Sequence, residues 1–140
     1  MWGNKSETDA AYDDAVGMLL QRVRAGEAVA VLVATHNRTS VERAVATMQR
    51  LQLPNDHPGV HFAQILGMSD HVTLGLAQAG YNASKLVPYG PFEKLLPWLL
   101  RRLDENQDMF GAMQTDRQLY MAEVVRRVGD YKSGSWKLGL

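Results

Sequence analysis

Three groups of side chains in this sequence have types and spacing that could do chemistry. The first is Thr35-His36-Asn37, a polar triplet closing an apolar run. Its histidine could serve as a ligand, a base or a donor to a cofactor oxygen. The competing reading is structural: a polar turn whose Thr35 or Asn37 caps the next helix. The second is Gln64, an amide set in the apolar segment Val60-His61-Phe62-Ala63-Gln64-Ile65. Such a group requires buried partners, and a core network or a bound ligand would supply them equally well. The third is Arg101-Arg102 with Glu105, in the run Leu99-Leu100-Arg101-Arg102-Leu103-Asp104-Glu105-Asn106. Adjacent helix positions point about 100° apart, so the flanking leucines draw at least one arginine inward. A guanidinium held there calls for an anion, and its planar fork suits a carboxylate or phosphate. Glu105 lies one turn beyond both arginines, so ordinary ion pairs on a solvated helix face fit the same pattern.

Other chemistries have no signal. His57, His61 and His71 lack metal-ligand spacing, and no metal site is expected; His57 reads as loop and His71 as surface. There is no Gly-rich dinucleotide fingerprint, no Walker loop and no nucleophile elbow.

The elements that must position these groups alternate. Residues 8–25 place Ala11, Ala15, Val16, Leu19, Leu20 and Val23 at helical spacing, with Gly26 as the stop. The apolar run Ala28–Ala34 predicts a strand covered on both faces, as in a parallel sheet. Thr39 and Glu42 fit a capping box for a second helix with the stripe Val41, Ala44, Val45, Met48 and Leu51. A loop over 53–59 leads to a strand over 60–65, a short helix over 70–79 and a third strand over 83–87. A helix from Phe92 to about Asn106 contains Pro97, which should kink it. Thr115–Val128 predicts a last amphipathic helix through Leu119, Met121, Val124 and Val125, and Arg126-Arg127 reads as its solvated end. Residues 129–140 read as a frayed tail. Three strands each followed by a helix imply a parallel sheet with right-handed crossovers. Periodicity alone does not separate an open sheet from a slice of a closed barrel. The opening helix without a preceding strand, and two unpaired edges, favour the slice.

Composition narrows the partners. Fifteen basic and fifteen acidic side chains cancel, so a nucleic-acid binder working through bulk charge is not expected. With no cysteine, disulfides and thiol redox chemistry are excluded, and any electron transfer must use a bound cofactor. The acidic, polar start, MWGNKSETDAAYDD, has no features of a targeting segment.

Taken in order, Ala34-Thr35-His36-Asn37, Phe62-Ala63-Gln64-Ile65-Leu66-Gly67-Met68-Ser69-Asp70, Ala79-Gly80-Tyr81, Val87-Pro88-Tyr89-Gly90-Pro91 and Pro97-Trp98-Leu99-Leu100-Arg101-Arg102-Leu103-Asp104-Glu105-Asn106 resemble the proline dehydrogenase (proline oxidase) family. The likeness is greatest to its eukaryotic, mitochondrial branch and covers about residues 7–128; Asp116-Arg117-Gln118-Leu119 also matches. It implies an α/β fold, the C-terminal part (about strands six to eight and their helices) of a distorted (βα)8 TIM-type barrel with FAD over the strand ends. It also implies oxidation of L-proline to 1-pyrroline-5-carboxylate, a hydride passed to the flavin and electrons handed to a quinone. A mitochondrial parent enzyme that associates with a membrane follows in the same way. Residue by residue, Thr35 and His36 match flavin contacts, with Asn37 adjacent; Gln64 and Glu105 stand in motifs near the flavin. Arg101 and Arg102 match the pair that grips the substrate carboxylate. Leu86 stands where many proline-oxidising members have a tyrosine, which leaves hydroxyproline as an alternative substrate. The family's first five strands, with a lysine, an aspartate and an arginine that contact substrate and flavin, have no counterpart in these 140 residues. The expectation is therefore one partial barrel domain over 1–140, inactive alone. A non-catalytic module derived from the barrel, and a self-contained small-molecule-binding α/β protein, are the competing readings.

Overall fold

A strand exists only where a neighbour can satisfy its amides, and that condition sets the limits of the sheet. In the computed structural model, β1 (Val31–Ala34), β2 (Val60–Ile65) and β3 (Ala83–Leu86) form a parallel sheet in the order β1-β2-β3. Val31 stands opposite Val60 and Ala34 opposite Ala63, while Phe62 stands opposite Ala83 and Ile65 opposite Leu86. The first strand starts later than its apolar run suggested. Val31 is the first residue to meet the partner strand, its N–H reaching the carbonyl of Gly59 at 2.8 Å. The described residues are 4–27, 29–105 and 110–132, with positions 103, 105, 110–116 and 132 described by backbone alone. Ala28, Asn106 and residues 133–140 of the expected tail lie outside them.

The chain forms two compact units, Met1–Pro88 and Tyr89–Leu140. In the first, α1 (Lys5–Arg24), α2 (Arg38–Arg50) and α3 (Asp70–Gln78) accompany the sheet. Asn4 caps α1 by accepting the Glu7 N–H, and Gly26, at φ +76°, closes it with a bond to the Val23 carbonyl. A residue with a β-carbon would pay strain in that left-handed position. The helices share one core: Val16, Leu20 and Val23 from α1, Val41, Ala44 and Met48 from α2, and Val72 and Leu76 from α3 close over Val31, Val33, Val60 and Phe62. Phe62 meets Tyr81 edge-on at 5.8 Å. Burying side chains as large as Leu20, Met48 and Phe62 stabilises the unit by about 1.5–3 kcal/mol each.

The alternate strand positions are bare. Leu32 is 61% exposed, and Ala34, His61, Ser84 and Leu86 are also exposed. The expectation that β1 is covered on both faces is therefore corrected. All three helices return over the same face, so alternation along β1 reads buried, exposed, buried, exposed. For the same reason Ala15 and Leu19, counted in the apolar stripe of α1, face outward.

The second unit comprises α4 (Phe92–Glu105) and α5 (Phe110–Lys132). Pro97 lies inside α4 and cannot donate to the Glu93 carbonyl. Helix α5 is longer than Thr115–Val128 at both ends. Gly129 does not stop it, and Arg126 donates to Asp130 at 2.6 Å across that position. Its apolar residues Leu119, Met121, Val124 and Val125 are all exposed.

Candidate functional site

The register carries Thr35, Gln64 and Lys85 into one transverse row at the carboxyl end of the sheet, where parallel α/β proteins gather their reactive groups. Gln64 is 2% exposed and points to the helix-covered side. Its Oε1 accepts from the Thr73 hydroxyl at 2.7 Å and its Nε2 donates to the Thr35 carbonyl at 3.3 Å. Both ends of the amide thus have protein partners, which is the core-network arrangement.

Lys85 fixes the neighbouring turn. Its Nζ lies 2.6 Å from Asp70 Oδ1, in the first turn of α3, and donates to the Met68 carbonyl at 2.7 Å. Between those partners the backbone turns left-handed twice, at Gly67 (φ +82°) and at the buried Ser69 (φ +51°). A non-glycine residue in that region carries strain that surrounding bonds must hold. Here the Ser69 carbonyl accepts from the amides of Val72 and Thr73.

The Thr35-His36-Asn37 turn is half-buried. Thr35 Oγ1 accepts the Asn37 N–H at 3.1 Å, and Asn37 Oδ1 accepts the Thr39 N–H at 3.1 Å, which caps α2. The capping box expected from Thr39 and Glu42 is not formed. Thr39 lies inside the helix, and Glu42 pairs with Arg38 at 2.7 Å. His36 Nε2 accepts the Ile65 N–H at 3.4 Å, so in the neutral ring the proton sits on Nδ1. Leu86 stands opposite Ile65 on the uncovered face, 50% exposed.

Helix α4 distinguishes its two arginines. Arg101 is exposed, whereas Arg102 is half-buried with its guanidinium carbon 5.6 Å from the centre of the Trp98 ring. The Glu105 side chain lies outside the described residues. In α5, hydrogen bonds from Arg126 and Arg127 lower the Glu123 carboxyl from 4.5 to about 2. In α1, burial and then the adjacent Asp13 carboxylate raise the Tyr12 phenol.

A cleft of about 350 Å³ opens between α2 and α3, lined by Val41, Val45, Val72 and Leu76 with Arg38, Glu42 and His71 among its polar members. His71, expected at the surface, is half-buried there. None of the candidate site residues Thr35, His36, Asn37, Gln64 and Leu86 lines this cleft. Among the described residues no three His, Cys, Asp or Glu side chains are grouped to hold a metal, and no helix is long and apolar enough to cross a membrane. Sequence reasoning missed Thr73, Asp70, Lys85 and Trp98. A lysine inside a short strand, and a tryptophan four residues before an arginine, were the available signals.

Residues 1–115 match the family model described as proline dehydrogenase. Proline dehydrogenase 2, mitochondrial, of Arabidopsis thaliana is 38% identical over 121 residues, 86% of this chain and 25% of that protein. Human proline dehydrogenase 1, mitochondrial, is 39% identical over 122 residues, 86% of this chain and 20% of that protein. Hydroxyproline dehydrogenase of Bos taurus is 38% identical over 122 residues, 86% of this chain and 26% of that protein. The chain thus spans about a quarter of the length of these relatives. The crystal structure of proline utilization A from Bdellovibrio bacteriovorus inactivated by N-propargylglycine superposes with a TM-score of 0.67 at 24% identity. It covers 76% of this chain and 10% of that one, a likeness of fold alone.

Proposed function

The chain belongs to the proline dehydrogenase family, and from that premise we propose that it forms the carboxy-terminal part of a (βα)8 barrel that oxidises L-proline to 1-pyrroline-5-carboxylate. The observation that carries this is the family match, which runs through both Thr35-His36-Asn37 and Arg101-Arg102. The sheet supports it. Sequential strand order with the three helices of the first unit on one face is the winding of a sheet that closes on itself; a doubly wound sheet carries helices on both faces. In this reading the bare face with Leu32 and Leu86 lines the barrel interior.

The turn at the end of β1 fits a flavin dinucleotide. It is half-buried and polar, and it opens the amino terminus of α2, where backbone N–H groups favour a diphosphate. Thr35, His36 and Asn37 would hold FAD there, with Glu105 also near it, and Gln64 acts through the Thr35 carbonyl it supports. When bound, FAD supplies the hydride acceptor. Arg101 and Arg102 contribute orientation: proline has one fixed negative charge, and two guanidinium groups gripping it hold the ring for transfer. A quinone receives the electrons, and the parent enzyme is mitochondrial and membrane-associated.

The test is a chimera in which these residues replace the aligned segment of the Arabidopsis relative. We expect stoichiometric flavin and proline-dependent dye reduction, whereas the 140 residues alone give neither. Arg102→Met should raise KM for proline roughly tenfold to hundredfold with flavin retained, from the loss of about 1.5–3 kcal/mol of charge-assisted hydrogen bonding. Unchanged kinetics in the Arg101→Met/Arg102→Met double variant would sink the assignment. Oxidation of hydroxyproline is the second reading, favoured by Leu86 in place of tyrosine and by the similarity to hydroxyproline dehydrogenase. The ratio of kcat/KM for the two substrates in the same chimera decides between them.

A further inference from the structure

We propose that Lys85 is a positioning residue for substrate selection, acting from behind Leu86 by lacing the end of β3 to the turn between β2 and α3. Alternation along β3 sets the two side chains on opposite faces, Leu86 on the bare one and Lys85 on the helix-covered one. Two bonds cross from this strand end to the turn. The Leu86 carbonyl accepts the Leu66 N–H at 3.0 Å, and the Lys85 ammonium donates to the Met68 carbonyl at 2.7 Å. They bracket Gly67, whose φ of +82° turns the chain back. The same ammonium lies 2.6 Å from Asp70 Oδ1 and so reaches the first turn of α3. The Lys85 side chain is 18% exposed, and desolvating an ammonium is a costly route to stability, since a well-packed apolar side chain often does as well. What the charge adds is direction: a carbonyl and a carboxylate together fix where the strand end must lie. The backbone position from which Leu86 projects onto the bare face is therefore set by Lys85 as well as by the Leu66 bond.

The inference rests on the proline dehydrogenase reading, in which Leu86 holds the position that separates proline from hydroxyproline. The ratio of kcat/KM for the two substrates in the chimera does not depend on how much of the protein is folded, so a merely structural lysine leaves it unmoved. Lys85→Met should shift that ratio against the preferred substrate, by up to roughly tenfold, with flavin retained. Lys85→Arg, which keeps a cationic donor, should lie closer to the parent. An unchanged ratio in Lys85→Met overturns the proposal. Asp70→Asn covers failure of that variant to fold: it removes the carboxylate, leaves the Met68 bond, and should shift the ratio the same way by less. A chimera inactive on both substrates would instead remove the family's activity from this chain. Hydrogen exchange in the full 140-residue chain then decides the lacing without substrate or flavin. Lys85→Met should speed exchange of the Val72 and Thr73 amides, which the Ser69 carbonyl accepts, by roughly tenfold to hundredfold and leave those of β1 protected. Equal exchange at Val72 and Thr73 in parent and variant also overturns the proposal.

Discussion

Gln64 joins three elements through one amide: β2 carries it, α3 donates to it through Thr73, and the end of β1 accepts from it at Thr35. At 2% exposure no water can replace those partners. Gln64→Leu keeps the volume and leaves the buried Thr73 hydroxyl and the half-buried Thr35 carbonyl without their Gln64 partner. It should lower unfolding free energy by about 1–3 kcal/mol. The measurement is a shift of the urea midpoint at constant slope; an unmoved midpoint would mean that the network contributes nothing. The amide was recognisable as unusual from the sequence, since a strand interior has few places for it. Which way it faced was not, because that depends on strand register and on which face the helices cover.

The helices differ in how they are held. Those of the first unit bury a stripe against the sheet, whereas Leu119, Met121, Val124 and Val125 of α5 are exposed and Glu123 takes hydrogen bonds from Arg126 and Arg127 within the same helix. The Glu123 carboxyl is lowered from 4.5 to about 2. The helix therefore favours the carboxylate, so its contribution is whole above about pH 4.5 and is lost as pH falls toward about 2. Helicity of the wild-type chain should exceed that of Glu123→Gln at neutral pH, and the two should converge over that acidic window. Because the pairs are at the surface, high salt should shrink the difference. A gap that persists at the acid end would assign it to propensity rather than charge.

For the molecule as a whole, the dominant feature is a sheet covered on one side. Leu32 and Leu86 are 61% and 50% exposed, and among the described residues β1 and β3 have no outer neighbour. Apolar patches and unpaired strand edges of this kind are where chains associate. The isolated chain should therefore sediment with concentration-dependent mass, and Leu32→Lys with Leu86→Lys should shift it toward the monomer. Identical sedimentation of the two would show that this face is not what associates.

The alternation of helix and strand, the stop at Gly26, the limits of β2 and the motif set that marks the family were all decided locally. They depend on periodicity, turn chemistry and residue identity within a few positions, which one chain displays directly. The side of the sheet left bare, the start of β1 at Val31 and the inward partners of Gln64 were decided by tertiary structure. Each depends on what a distant segment places opposite: Gly59 before β2, the common return side of three helices, and Thr73 on α3. A residue's own type and near neighbours carry no record of those approaches.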